Sequence, residues 1–418
     1  MKVFTGIIKY LWRGVVSLLI VAVLAILVTS ISLCYDFAPA EPFVGDDIYN
    51  PYADFEPNME WQRASLHTHT RVEGPLNECD FTAEQVWAKY QDFGYDVVGI
   101  SNHNEITPHP ASEQDIRIYE HGYNLRNFHK LVVGTERVNR FDALYPLFPL
   151  QAQWQLDMLG GESELLQLNH PSRSSLLDSA MLCRIAGYDI MELSGYYEFL
   201  ENKHWDWALS AGRYSFATLN DDLHYPDRSS RFAIRTTYLG AKSATTEDII
   251  ATLRSGCFYS VRVPDYGAGD WSVKREANMT LPKVVNIGAC GDTLFMRLSS
   301  PAEQIRVIGQ DHSLLSRATH SHCTEYIPSR HLATVLITAK TCRSIEIQFV
   351  HHLSSIFLSL PWLTNFIIKV NNMVARFVAM RILTNHTCTE DWKFFIPSRN
   401  VSKHTIELSS KLFLTASE

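Results

Sequence analysis

The sequence lacks the features that would indicate several common classes of protein. None of its eight cysteines lies in a C-x-x-C pair, so a zinc site built from cysteine thiolates is not expected. It has no local basic cluster, no internal repeat and no low-complexity tract, and its net charge is -8, which argues against nucleic acid as the main partner. At 418 residues, the chain is long enough for one large domain and a smaller one.

One long hydrophobic run stands out near the N-terminus. It extends from Val15 to Leu33 without a charged residue, and it is about long enough to cross a bilayer as a helix. Three basic residues precede it: Lys2, Lys9 and Arg13. Their position predicts a cytoplasmic N-terminus, with the rest of the chain on the far side of the membrane. We therefore predict a single-pass membrane anchor in residues 1–40. A cleaved signal peptide is the alternative, because residues 38–40 resemble a small-residue cleavage site.

The rest of the chain divides into three parts by its pattern. Residues 41–60 are rich in Pro, Asp, Asn and Tyr and are predicted to be a linker. Short apolar runs alternate with amphipathic helical patterns through residues 61–265, which predicts a parallel α/β architecture. Residues 266–418 are predicted to form a smaller β-rich C-terminal region of unknown role. Within them, residues 353–383 are apolar and predict a buried or interfacial helix.

Imidazole and carboxylate side chains follow several of the predicted strands. His67 and His69 lie two residues apart, so the period of an extended chain places both on one face. Five strand ends contribute to one candidate set: His67, His69, His103, Glu136, His170, Asp222 and His224. Zinc, manganese and iron share these ligand types. The set therefore predicts a site for two or three divalent ions.

The spread of these residues over many strands favours a barrel. A (β/α) barrel carries its functional residues at the carboxyl ends of its strands, whereas an open doubly wound sheet concentrates them at one crevice. We therefore predict a barrel with the metal site on its rim. Residues 105–129 are predicted to be a polar loop with a helical middle, and they contribute nothing to the candidate set.

The order and spacing of five motifs resemble the PHP (polymerase and histidinol phosphatase) superfamily. The motifs are His67-Thr68-His69-Thr70, Ser101-Asn102-His103-Asn104, Gly134-Thr135-Glu136, Asn169-His170-Pro171 and Asn220-Asp221-Asp222-Leu223-His224. The resemblance covers residues 60–265. It implies a distorted (β/α)7 TIM-like barrel that holds two or three divalent ions, whether Zn, Mn or Fe, and, in many members, the hydrolysis of phosphoesters.

The resemblance also implies roles for individual residues. The first ion would be held by His67, His69, Glu136 and Asp222. Glu136 would bridge to a second ion, which His170 also binds. His103 and His224 would hold a third. Glu73 lies where many members have an acidic or imidazole ligand, and it is either a further ligand or a solvated loop acid. Asn102, beside a motif histidine, is predicted to support the site without binding metal. From their positions alone, Asp221 is predicted to be a structural or hydrogen-bonding neighbour, and Glu192, which ends a strand on the same barrel face, is predicted to be structural.

The predicted reaction is hydrolysis of a small phosphorylated substrate by a metal-bound hydroxide, with the ions neutralising charge on the phosphoryl oxygens. Arg71, Arg137 and Arg173 follow motif residues and are candidates to bind the phosphate, because a guanidinium matches two oxygens. The predicted catalytic residues are Asp222, His224 and Arg137. Two alternatives stay open: an amide or ester hydrolase that uses the same ions, and a non-catalytic metal-binding module.

Overall fold

The computed structural model describes residues 2–40, 50–55, 59–74, 77–194, 198–227, 231–263, 271–290, 293–326, 333–339 and 342–347. Within these ranges the strands are β1 (Gln62–Ser65), β2 (Val97–Val98), β3 (Tyr119–His121), β4 (Lys130–Val133), β5 (Leu165–Leu168), β6 (Ile190–Glu192), β7 (Phe216–Thr218), β8 (Arg235–Leu239), β9 (Phe258–Arg262), β10 (Val284–Cys290), β11 (Thr293–Gly309), β12 (Ser313–Tyr326), β13 (Ala333–Ala339) and β14 (Cys342–Ile347). The α-helices are α1 (Lys2–Thr29), α2 (Ala83–Asp92), α3 (Pro149–Gly160), α4 (Ser179–Leu182), α5 (Glu198–Ser210), α6 (Thr246–Ser255) and α7 (Trp271–Met279). The helix predicted for residues 353–383 lies outside the described residues.

The N-terminal helix α1 coincides with the hydrophobic run of the sequence. Its segment Phe4–Thr29 is long and apolar enough to cross a membrane, and none of the hydrophobic window within it is buried against the rest of the protein. An apolar helix that is not packed against the described part of its own chain is suited to a membrane anchor.

Local sequence signals set the ends of the helices that flank the sheets. Thr82 and Gln85 form a capping box at the start of α2: the Gln85 backbone N donates to Thr82 Oγ1, and the Thr82 backbone N donates to Gln85 Oε1. Helix α6 shows the corresponding signal at a C-terminus: Gly256 ends the helix with a left-handed backbone conformation, at a φ of 76°. Both signals are readable in the sequence, because each depends on residues close together in the chain.

We expect Gly256→Ala to lower the free energy of unfolding by about 2 kcal/mol. The added methyl would sit at an unfavourable φ and only 2.0 Å from Phe216 Cε1. Gly74 is the matched control, because its φ is also positive, at 97°, but a Cβ there would have no heavy atom within 4 Å. Urea denaturation of the two alanine variants measures the difference, and equal losses would refute the role of the Phe216 contact.

The strands form two sheets. The larger sheet has nine strands in the order β10-β11-β13-β14-β9-β8-β1-β2, with β12 paired to β11, and the smaller has the order β3-β4-β5-β6-β7. The β1–β2 pair and the β5–β6–β7 ladder are parallel, whereas β4 is antiparallel to both β3 and β5. Neither sheet closes on itself among the described residues. The structure is therefore mixed α/β, and it does not show the predicted TIM-like barrel.

Two isolated bridges connect the sheets at the edge that carries the motifs. Thr68 pairs with Leu223, and His103 pairs with Glu120, both in parallel orientation. The first bridge joins the segment after β1 to the segment after β7. The second joins the segment after β2 to β3. The residues that follow these strands are thereby brought to one place.

The largest hydrophobic cluster lies between the smaller sheet and its helices. It includes Leu131 of β4, Leu166 of β5 and Met191 of β6, each of them fully buried, together with Leu156 of α3 and Leu253 of α6. Burying apolar surface of this kind contributes about 25 cal/mol per Å². The helices therefore hold the smaller sheet rigidly behind the motif residues.

The larger sheet crosses the predicted domain boundary at residue 265. Strand β14 pairs with β9 in an antiparallel ladder that runs from Ser344 opposite Arg262 to Ile347 opposite Tyr259. Strands β10 to β13 extend the same sheet. The strands of residues 284–347 therefore do not form a sheet of their own.

Candidate metal centre

Glu120 lies at the centre of a buried group of imidazoles. Strand β3 carries its carboxylate inward, and the residue is 1 % exposed. Its Oε2 atom lies 3.2 Å from His67 Nε2, 3.3 Å from His69 Nε2 and 3.2 Å from His103 Nε2. One carboxylate oxygen thus faces three ring nitrogens.

Asp222 completes a first group of four donor atoms with Glu120, His67 and His69. Its Oδ1 atom lies 3.4 Å from His67 Nε2 and 3.3 Å from His69 Nε2. Four ligands at about 2.0 Å around a tetrahedral zinc ion lie about 3.3 Å from one another. The distances within the group therefore match the spacing of ligands around a single divalent ion.

A second group forms around the other oxygen of Glu120. Its Oε1 atom lies 3.2 Å from both His129 Nδ1 and His170 Nε2. His129 precedes β4 and His170 follows β5, and the two rings are 5.3 Å apart between centroids. Because its two oxygens face different imidazoles, Glu120 is placed to bridge two ions.

A third group lies closer to solvent. Glu78 Oε2 lies 3.1 Å from His103 Nε2 and 3.0 Å from His224 Nε2. The side chain of Glu78 is 44 % exposed and that of His224 is 24 % exposed. This group therefore forms the open side of the cluster.

The unpaired atoms of the first group provide a test of whether metal fits. His67 Nε2 and His69 Nε2 are buried and have no hydrogen-bond partner among the described residues, and an unpaired buried polar atom is costly. The other ring nitrogen of His67, Nδ1, lies 3.0 Å from Glu192 Oε1. A carboxylate in that position fixes the tautomer that leaves Nε2 free to bind metal. The donor set thus fits a divalent ion.

The electrostatics of the cluster support the same conclusion. Burial raises the pKa of Glu120, but His67 and His103 outweigh it and hold the pKa well below its ordinary value. The pKa of Asp222 is held low in the same way, chiefly by His67 against burial. Burial lowers the pKa of His67, but Glu192, Glu120 and Asp222 together hold it well above its ordinary value. The buried carboxylates thus favour positive charge beside them, which a proton on His67, or a divalent ion in its place, can supply.

Polar residues beside the donors fix the loops that carry them. Asn102 Oδ1 accepts from the Thr70 backbone N at 2.7 Å, which ties the segment after β2 to the segment after β1. Glu192 Oε2 accepts from the His170 backbone N at 3.2 Å, and its Oε1 accepts from Asn220 Nδ2 at 3.0 Å. Asn102 and Glu192 thus tie together the segments that carry the donors.

The structure brings six of the predicted metal residues into the cluster and leaves two outside it. The six are His67, His69, His103, His170, Asp222 and His224. Glu73 is exposed in the loop after β1. Glu136 is also exposed, and its backbone oxygen accepts from Arg117 Nη2 at 2.7 Å.

The direction of β4 explains why Glu136 lies elsewhere. The prediction treats every strand as parallel, so that the end of each one reaches the same edge. Strand β4 is antiparallel to β5, with Lys130 opposite Leu168 and Val133 opposite Leu165. Its carboxyl end, and Glu136 beyond it, therefore point away from the edge where β5 delivers His170.

Three residues of the cluster were missed by the sequence analysis: Glu78, Glu120 and His129. Residues 105–129 do contain a short 3₁₀ helix, Ser112–Gln114, as predicted, but they also contain β3, which was not predicted and which carries Glu120. The alternation of Ile116, Ile118 and Glu120 with other side chains is a strand signal that could have found it. No comparable pattern marks Glu78, which lies in a loop.

Of the three candidate arginines, Arg173 lies at the cluster. Its Nη1 atom donates to Asp222 Oδ2, and its side chain is 25 % exposed. It belongs to a short 3₁₀ helix, Pro171–Arg173, that directly follows His170. Arg137 is 77 % exposed and lies 3.5 Å from Glu162, and Arg71 is exposed.

Comparison with known proteins gives only distant structural likenesses. No protein-family model and no curated protein matches the chain. A two-domain protein from Bacteroides vulgatus that contains a predicted PHP-like metal-dependent phosphoesterase is 12 % identical, with a TM-score of 0.31 over 75 % of this chain and 94 % of that one. PsfC from Pseudomonas syringae is 13 % identical, with a TM-score of 0.34 over 47 % of this chain and 90 % of that one. Because both TM-scores are low, the function is inferred from the geometry of the site.

Proposed function

We propose that the chain is a metal-dependent hydrolase that acts on phosphate esters. The observation that carries this proposal is the buried set of imidazole and carboxylate donors around Glu120, in which one carboxylate faces two groups of histidines. Structural zinc sites use four ligands and leave no position open. A larger set with an open, partly exposed side is suited to catalysis.

The chain would hold its ions in three adjoining groups. The first would use His67, His69, Glu120 and Asp222. The second would use Glu120, His129 and His170, and the third Glu78, His103 and His224. Divalent ions at such a site polarise phosphoryl oxygens and lower the pKa of bound water. Zn, Mn and Fe all bind imidazole and carboxylate donors of this kind.

Arg173 would bind the phosphoryl group. Its guanidinium lies beside Asp222, at the mouth of the cluster, and it can donate two parallel hydrogen bonds to two oxygens. An amide substrate has no such pair of charged oxygens, so this arginine favours a phosphate ester. Arg137, the arginine predicted to be catalytic, is exposed and paired with Glu162. We propose Arg173 in its place.

Asp222 and His224 remain the other proposed catalytic residues. Asp222 would hold an ion through Oδ1 and orient Arg173 through Oδ2. His224 faces the partly exposed Glu78 carboxylate. If only the two inner groups hold ions, the His224 imidazole is free to give a proton to the leaving oxygen of the substrate.

We also propose that the domain is a distorted barrel and that the protein is anchored in a membrane. The bridges Thr68–Leu223 and His103–Glu120 support the first point, because they join the two sheets on both sides of the site. Helix α1 and the basic residues near its start support the second, with the hydrolase domain on the extracytoplasmic side.

Two assays of the full chain in detergent, loaded with manganese or zinc, test the proposal: phosphate release from a panel of phosphate monoesters and amine release from a panel of amides. We expect turnover of the phosphate esters. We also expect Arg173→Ala to lower kcat/KM by roughly 10²-fold while the bound metal is retained.

Arg137→Ala is the matched control for this experiment. Since Arg137 is exposed and its guanidinium pairs with Glu162, which is not a residue of the cluster, its loss should leave kcat/KM unchanged. No phosphate release from any ester by a fully loaded site, or hydrolysis of amides alone, would refute the proposed function.

A further inference from the structure

The segment after α1 is bound directly to the hydrolase domain. Ser30 Oγ donates to the Tyr145 carbonyl oxygen at 2.9 Å, and Ser32 Oγ donates to the Leu150 carbonyl oxygen at 2.8 Å. Ser30 is fully buried. The end of the anchor helix is therefore fixed against residues 145–150, without a free linker at that point.

Large apolar side chains are exposed around this attachment. We call them the apolar rim: Tyr123, Leu125, Leu144, Tyr145, Leu147 and Phe148, which are 45, 67, 41, 38, 40 and 54 % exposed. The two segments form one surface, because the Leu125 backbone N donates to the Leu144 carbonyl oxygen at 2.9 Å. A contiguous exposed apolar surface of this kind marks an interaction site.

The composition of the apolar rim is that of a membrane interface. Tyrosine is enriched at the level of lipid headgroups, and basic side chains accompany it there. Arg126 supplies such a cation, with its guanidinium carbon 5.5 Å from the centre of the Tyr145 ring. The apolar rim therefore combines apolar side chains with the polar ends of tyrosine and arginine, as residues at the level of the lipid headgroups do.

One hairpin connects the apolar rim to the metal centre. The turn between β3 and β4 carries Tyr123 and Leu125, while its two ends carry Glu120 and His129. Four residues of extended chain span at most roughly 14 Å, so Leu125 lies within that distance of His129. Asn127 Nδ2, on the same turn, donates to the Arg173 carbonyl oxygen at 3.4 Å.

We propose that the apolar rim lies in the interfacial layer of the bilayer that α1 crosses, and that the metal centre acts on phosphate monoesters carried by lipids of that bilayer. A helix that spans a membrane leaves its last turn at the interface, and the hydrogen bonds of Ser30 and Ser32 hold the rim at that level. The bilayer is therefore the occupant of this surface.

The reaction is the one already proposed, with its substrate class named, and the inference rests on that proposed function. The oxygen of water bonds to phosphorus, and the bond from phosphorus to the lipid oxygen breaks. The leaving oxygen takes a proton, which gives inorganic phosphate and a lipid alcohol. Water is the only co-reactant.

Photo-crosslinking of the full chain in phosphatidylcholine nanodiscs tests the position of the apolar rim. p-Benzoylphenylalanine replaces Leu125 in one variant and Met279 in the other. Met279 is the matched control because it is 65 % exposed and lies beside Gly94, before β2, at the opposite end of that strand from His103. We expect lipid adducts at position 125 and none at position 279. Adducts at position 125 with the chain itself only, or equal lipid adducts at both positions, would overturn the proposal.

Phosphate release in vesicles tests the substrate class. The full chain is reconstituted with dioleoylphosphatidic acid in phosphatidylcholine, and p-nitrophenyl phosphate is the soluble substrate. We expect the double variant Leu125→Ser, Leu144→Ser to turn over the lipid roughly tenfold more slowly and the soluble ester at an unchanged rate. Equal rates on the lipid for variant and parent would overturn the role of the apolar rim. Phosphate release from the soluble ester with none from the lipid would overturn the lipid assignment. Phosphate release from neither substrate would refute the phosphoesterase function instead. The lipid adducts in the crosslinking experiment would still show whether the apolar rim lies in the bilayer.

Discussion

Glu120→Gln is expected to release the bound divalent metal and to lower the rate of hydrolysis by roughly 10³-fold or more. Both carboxylate oxygens of Glu120 face imidazole nitrogens, at 3.2–3.3 Å. The amide keeps the shape of the side chain but offers one neutral oxygen in place of two charged ones, so it cannot bridge two ions. Elemental analysis of the purified full chain and phosphate release by the same samples measure the two effects.

Glu136→Gln is the matched control, because it makes the same chemical change at an exposed glutamate that the sequence places in the same role. We expect it to keep both its metal content and its activity. The opposite pattern, with metal lost on changing Glu136 and kept on changing Glu120, would contradict the assignment of the site.

Asp221→Ala is expected to lower the free energy of unfolding by about 3–5 kcal/mol. The carboxylate is fully buried and accepts four hydrogen bonds, from Tyr90 Oη at 2.9 Å and from the backbone N atoms of Ala233, Ile234 and Arg235 at 2.7, 3.2 and 3.1 Å. Alanine would remove this acceptor from the Tyr90 hydroxyl and from the Ala233 and Arg235 N–H groups, whereas Ile234 N also donates to the Arg231 carbonyl oxygen at 3.4 Å. Urea denaturation of the full chain in detergent, with a chelator present, measures the loss.

The neighbouring residue provides the contrast. Asp222→Asn removes a donor of the first group, so we expect its main effect to be on metal content and turnover. If Asp221→Ala changed metal content and left stability intact, the separation of these two adjacent carboxylates into a structural and a metal-binding residue would be wrong.

Much of the candidate site could be predicted because its residues follow strands that run the same way. His67 and His69 follow β1, His170 follows β5, and Asp222 and His224 follow β7, and each of these strands has a parallel neighbour or a parallel bridge at the site edge. An apolar run followed by an imidazole or a carboxylate is a local pattern. These site residues can therefore be predicted from a single sequence.

The remaining site residues depend on the direction of their strands, and the local sequence pattern does not reveal that direction. Glu136 follows an apolar run as clearly as His170 does, but β4 runs the other way. For an antiparallel strand, the residue before it reaches the site edge, and here that residue is His129. Pairing between distant segments sets the direction, and the same long-range pairing decides whether the sheets close into a barrel.

The ladder between β9 and β14 has a consequence for how substrates enter. Because β14 joins β9 by backbone hydrogen bonds and β9 in turn joins β8 and β1, the β-rich part and the part that carries β1 and its metal donors share one continuous sheet. Hinge closure of two lobes around a ligand needs a flexible crossing point between them, and a shared ladder removes it. For the proposed function, entry to the ions would therefore depend on the short segments at the mouth that carry Glu78 and Arg173.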